Sequence, residues 1–182
     1  MSTSKVGQAV PPVFFFLLTA TCMAQQNQGR VLTPEEVKSV DLTVSPNGAG
    51  LPPGSGSVST GAQIYAHKCQ SCHGPEGQGK PQDQLTGGIG TLATAKPVKT
   101  PVSFWPRATT LFDYIRRAMP INAPQSLSNE EVYAVTAYLL SIDGVVPKDT
   151  TLDAKSLPQV KMPNKDGFIN YWKVGQAVPP AR

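Results

Sequence analysis

Two cysteines three positions apart, the second followed at once by a histidine, constrain this chain more than any other feature: Cys69-Gln-Ser-Cys72-His73. The whole chain holds three cysteines and two histidines in 182 residues, so most of its thiol and imidazole chemistry is concentrated in one short run. A structural zinc site needs about four Cys or His ligands. Beyond the motif only His67 lies nearby, too close along the chain to close a tetrahedron, and there is no second Cys-x-x-Cys. A thioredoxin-like pair follows a buried strand, whereas Gly61-Ala-Gln-Ile-Tyr-Ala-His-Lys68 reads as helix. A disulfide across two intervening residues would remove little chain entropy.

The reading that uses every residue is covalent haem. Cys-x-x-Cys-His is the attachment signature of c-type haem: two thioethers hold the porphyrin, and the adjacent imidazole meets the iron from the proximal side. Cys69 and Cys72 are thus expected to carry one haem c, with His73 as a metal ligand. Gly74-Pro75-Glu76-Gly77-Gln78-Gly79 follows directly and stops the helix, letting the chain turn around the cofactor edge. His67 reads as an exposed polar residue.

The first 24 residues read as a secretory signal. Lys5 supplies the positive region, Val13-Phe-Phe-Phe-Leu-Leu-Thr-Ala20 the apolar stretch, and Cys22-Met-Ala24 the small residues before a cut. The apolar stretch falls short of the about 20 residues that span a bilayer, so no transmembrane anchor is expected. A lipoprotein cut before Cys22 is the alternative, which Thr21 fits poorly. Export to the periplasm leaves Cys69 and Cys72 as the only thiols, in a compartment where a bare pair would oxidise.

Met1 and Met23 leave with the signal, so Met119 and Met162 remain as candidates for a second metal ligand; the bland alternative for each is core filling. Met119 closes a helical stretch that begins near Thr109 and is stopped by Pro120. A capping box, Ser128-x-x-Glu131, then opens a final helix with an apolar stripe at Val132, Val135, Leu139 and Ile142.

With these residues in view, the chain resembles class I cytochrome c: the Cys69–His73 motif, the Met119-Pro120 loop and a final helix with Ala137-Tyr138-Leu139. A narrower resemblance covers about residues 59–170. Gly87-Gly88-x-Gly90-Thr-Leu92, Pro97-Val-Lys-Thr100, Trp105-Pro106, Ala108-Thr-Thr-Leu111, Asp113-Tyr-Ile115, Arg117-Ala-Met-Pro120, Ala123-Pro124 and Lys161-Met-Pro-Asn-Lys-Asp-Gly-Phe168 are similar to the cytochrome subunit of the Sox sulfane dehydrogenase. Members of that family often carry two haems, while this chain has one motif.

The resemblance implies an all-α class I cytochrome c fold, with about three to five helices around one haem and extended N- and C-terminal segments. It implies that the first and last helices cross, Gly61 and Tyr65 meeting Val135 and Tyr138, and that Met119 is the distal ligand. It also implies single-electron transfer from a molybdenum-containing dehydrogenase acting on sulfur compounds. The rivals are a carrier serving another periplasmic dehydrogenase or a terminal oxidase, and a five-coordinate haem enzyme or gas sensor. Trp105 and Arg107 are candidates to meet a haem propionate, packing and a solvated cation being the alternative.

The expected organisation is signal 1–24, flexible leader 25–58, cytochrome domain 59–144 and extended tail 145–182. Net charge is +4, falling by one when Lys5 is removed. No basic run interleaved with aromatics appears, so nucleic acid is not an expected partner. Lys and Arg at 96, 99, 107, 116 and 117 read either as a docking rim for an acidic redox partner or as a solvated surface. Lys5-Val-Gly-Gln-Ala-Val-Pro-Pro12 recurs as Lys173 to Pro180, too short for a structural repeat.

Overall fold

The computed structural model describes residues 29–169. The expected signal and both copies of the duplicated octapeptide lie outside them. The described residues fall into two compact units, divided between Ser39 and Val40. In the first, Thr33 caps a seven-residue helix, α1 (Pro34–Val40). Its hydroxyl accepts from the Glu36 N–H while the Glu36 carboxylate accepts from the Thr33 N–H, a reciprocal cap for donors that a helix start leaves free.

The second unit carries the site. Its elements are β1 (Ser55–Ser57), α2 (Val58–Lys68), α3 (Gln70–His73), α4 (Pro101–Phe104), α5 (Ala108–Ala118), α6 (Asn129–Ile142) and β2 (Thr151–Asp153), followed by a 3-10 turn at Leu157–Gln159. Local chemistry explains the boundaries. Ser57 accepts from the Thr60 N–H to start α2. Thr100 and Ser103 cap α4 reciprocally, with Pro101 in its first turn. Arg116 and Arg117 close α5, where cations suit the helix dipole, and Pro120 lies just beyond. Ser128 and Glu131 form the expected capping box of α6.

α6 is the centre of the core. Val132 through Ala137 and Leu139 through Ser141 are all buried, so the helix is covered on nearly every side. α2 crosses it with Gly61 against Ala134 and Tyr65 against Tyr138, the two rings 5.2 Å apart. Ala134 thus takes the place expected for Val135. On α5, Phe112 meets Tyr133 with ring centroids 4.5 Å apart.

The short strands β1 and β2 pair antiparallel, with Gly56 opposite Leu152. A Cβ on Gly56 would fall 2.1 Å from the Ala134 amide nitrogen, so the ribbon lies directly on α6.

Among the described residues the fold is helical with little strand, as expected for a class I cytochrome c. It differs from the expectation in having six α-helices rather than three to five. The additional ones are short: α1, α3 and α4 span seven, four and four residues, too few for apolar periodicity to register. The flanking segments are also less free than their composition suggests. Val44, from the expected leader, is buried, as are Val146, Leu152, Leu157 and Met162 from the expected tail. These tail anchors are five or six positions apart, a spacing with no helix or strand period. No helix among the described residues is long and apolar enough to cross a membrane.

Candidate functional site

The site begins where α2 stops. The Cys69 N–H bonds the Tyr65 carbonyl at 2.9 Å, closing α2. The backbone then bends at Cys69 (φ −125°, ψ −38°) and resumes as the single turn of α3. Gly74 ends that turn with φ of +81°, a conformation open to glycine. The buried Tyr65 hydroxyl donates to the Gly74 carbonyl at 2.9 Å, tying the end of the motif back to α2.

Cys69 and Cys72 are half-buried free thiols. Burial pushes the Cys69 thiol up to about 11, Lys68 opposing the shift only in part. A thiol so raised is protonated at neutral pH, unlike the activated thiolate of a redox pair. His73 is oriented by the loop that follows: its Nδ1 lies 2.8 Å from the Asp83 carbonyl. A carbonyl can only accept, so Nδ1 carries a proton and Nε2 is the nitrogen left to meet a metal, the usual arrangement of a ligating imidazole. The loop is itself stitched to the motif, Gly79 N–H to the His73 carbonyl and Gln82 N–H to the Cys72 carbonyl, each at 2.8 Å.

These groups open onto a cavity of about 760 Å³, within the range of about 300–1,000 Å³ typical of cofactor sites. Cys69, Cys72 and His73 line one side. Trp105, Tyr114, Met119, Leu127, Val135 and Leu139 are among the residues that line the rest. Met119 is the cap residue of α5, with an extended backbone (φ −116°, ψ 146°). Met162 is elsewhere: it is 2 % exposed in the core and does not line the cavity. The residues present fit a haem. Two thiols, an imidazole with a free Nε2 and a thioether share one largely apolar cavity.

The remaining expectations divide. Trp105 lines the cavity, its ring edge-on to Tyr114 at 5.6 Å. Arg107 does not: it is the exposed residue before α5 and is absent from the lining. His67 is exposed, as expected. Gly88 serves the loop, where a Cβ would fall 2.4 Å from the Val98 carbonyl. Of the basic residues considered as a rim, Arg117 is paired with Asp113 through two bonds of 2.9 Å, and Lys99 Nζ lies 5.2 Å from the Phe104 ring centre. Asp83 escaped the sequence reading because any residue can offer a main-chain carbonyl. Phe104, also on the cavity wall, lies in the one-turn α4, which leaves no periodic signal.

The family model Cytochrome c matches residues 58–143, from the first residue of α2 to the end of α6. Thiosulfate dehydrogenase from Stutzerimonas stutzeri (strain A1501) is 32 % identical over 116 residues, 61 % of this chain but 35 % of that protein, so the chain spans little more than a third of that relative. A chain in the crystal structure of the sulfane dehydrogenase SoxCD from Paracoccus pantotrophus superimposes with a TM-score of 0.73 at 44 % identity, covering 78 % of this chain and 70 % of that one. The family match, the shared fold and a thiol–imidazole cradle suited to haem c together place this chain in the cytochrome c family.

Proposed function

We propose that this chain is an exported monohaem electron carrier, accepting single electrons from a molybdenum-containing dehydrogenase that acts on sulfur compounds. The observation that carries the electron-transfer reading is the presence of His73 and Met119 on the same cavity as Cys69 and Cys72. Cys69 and Cys72 would hold the haem by thioethers, His73 Nε2 and the Met119 sulfur would be the protein's ligands to its iron, and Trp105 forms part of the wall. Haem c supplies reversible one-electron exchange between ferric and ferrous iron.

The chain's own residues tune that exchange. The Asp83 carbonyl, through Nδ1, holds the His73 ring in one tautomer. A thioether ligand and an apolar surround both favour the ferrous state. An imidazole and a thioether on one cavity would give the iron two ligands from the chain and leave none of its positions to oxygen or substrate, which weighs against the five-coordinate enzyme or sensor.

The sulfur reading draws on the likeness to a SoxCD chain and, over a smaller share, to a thiosulfate dehydrogenase. The haem-loaded protein, expressed with its signal in a bacterium having cytochrome maturation machinery, should appear in the periplasm. Pulled down from its native host, it should bring a molybdenum-containing protein that reduces it when a sulfur substrate is added. Reduction only by an unrelated dehydrogenase would support the rival carrier. Carbon monoxide binding to the ferrous protein at neutral pH would favour the enzyme or sensor.

A further inference from the structure

α4 is a single turn, and the carbonyls that end such a turn have no partner inside it. One of them, on Phe104, accepts a hydrogen bond of 2.7 Å from Nδ2 of Asn164, sixty residues further on. Asn164 follows Met162, which anchors the C-terminal segment in the core. Two turns shape this segment: Lys165 N–H to the Met162 carbonyl at 3.2 Å and Gly167 N–H to the Asn164 carbonyl at 3.1 Å. They bring the Phe168 ring onto Phe104, with centroids 5.2 Å apart and planes at 57°.

Phe104 and Trp105 line the cavity, whereas Asn164 and Phe168 do not. The segment therefore acts on the cavity wall from behind. Gly167 is part of the same device. A Cβ there would fall 1.8 Å from Oδ1 and 2.6 Å from Cγ of Asn164, so only glycine leaves the amide where it sits.

We propose that Asn164 is a positioning residue for this wall. By capping α4 it holds Phe104 and Trp105 against the cavity, and so sets how much water reaches the cofactor there. The proposal rests on the haem reading above. Water admitted beside the haem favours the ferric state, so a loosened wall lowers the reduction potential.

The test compares the full-length haem-loaded protein with its Asn164→Ala, Gly167→Ala and doubly substituted variants. Asn164 is half-buried near the surface, and neither change replaces a residue that lines the cavity. Both single variants should have a lower reduction potential than the wild type. The Trp105 amide, bonded to the Pro101 carbonyl at 3.3 Å, should exchange about fivefold faster, as expected when one net hydrogen bond is lost. The double variant should add nothing, because both changes break one contact.

Unchanged potential and unchanged Trp105 exchange in Asn164→Ala, with haem bound as in the wild type, would overturn the proposal. So would full additivity in the double variant. A wild type that takes up no covalent haem would instead sink the haem reading, and Trp105 exchange would still decide whether Asn164 holds the wall.

Discussion

Gly61 and Ala134 touch so closely that a Cβ on Gly61 would lie 1.9 Å from the Ala134 carbonyl oxygen and 2.8 Å from the Tyr138 Cβ. The obstacle on the Ala134 side is helix backbone, which cannot rotate away. Gly61→Ala must therefore separate α2 from α6 at their crossing. Overpacking of this kind costs about 1–3 kcal/mol, and thermal unfolding of the haem-loaded protein should show the loss. Because α2 leads directly into Cys69, the yield of covalent haem should fall as well. An unchanged midpoint would mean that the crossing is looser than the structure describes.

Tyr65 links that crossing to the motif. Its hydroxyl is the donor to the buried Gly74 carbonyl. Tyr65→Phe keeps the ring and its contact with Tyr138 but leaves the Gly74 carbonyl with the Gly77 N–H alone, at 3.2 Å, at a cost of about 0.5–1.5 kcal/mol for the lost bond. Urea unfolding should register this. Equal stability of the two proteins would show that solvent replaces the lost bond at no cost.

Acid should weaken the α2–α6 connection by a definable route. Glu131 accepts from Lys68 Nζ at 2.7 Å and from the Ser128 N–H at 2.9 Å. Lys68 first, and then Ser128, hold the Glu131 carboxyl below its ordinary 4.5. A carboxyl depressed in the folded protein adds stability that is fully present above 4.5 and is lost as pH falls through the lower folded value. Glu131→Gln keeps the cap geometry and removes the charge. At pH 7 it should be less stable by about 0.5 kcal/mol, the worth of a partly exposed pair, and this gap should close in acid. A gap that stays constant from neutral pH into strong acid would assign the difference to something other than the carboxylate.

Much of this architecture was legible where a residue type has a single strong local meaning. Ser128 and Glu131 marked the start of α6 because a hydroxyl three residues before a carboxyl satisfies helix donors reciprocally. Pro120 marked the limit of α5 because its ring prevents the helix from continuing. The Cys69–His73 motif named its cofactor because no other chemistry uses all three side chains at that spacing. Other features depend on contacts between distant segments. Val44, Leu152, Leu157 and Met162 are isolated apolar residues in polar, Pro- and Gly-rich stretches, and only the folded chain brings them to one core. Arg107 is two residues from Trp105, but Trp105 is on the cavity wall and Arg107 is outside it. The Asp83 and Phe104 carbonyls act through main-chain atoms that every sequence contains.

The identity of the distal ligand carries the electron-transfer account, and the structure separates its two candidates sharply. Met119 lines the cavity with His73, and Met162 is enclosed in the core. The most direct measurement is the visible spectrum of the ferric haem-loaded protein as wild type, Met119→Ala and Met162→Leu, the last chosen because it conserves core volume. The weak far-red band of sulfur bound to ferric haem should be present in the wild type and in Met162→Leu, and absent from Met119→Ala. Its persistence in Met119→Ala, or its absence from the wild type, would contradict the account and leave the iron with a ligand, or an open position, that this cavity was not read to provide.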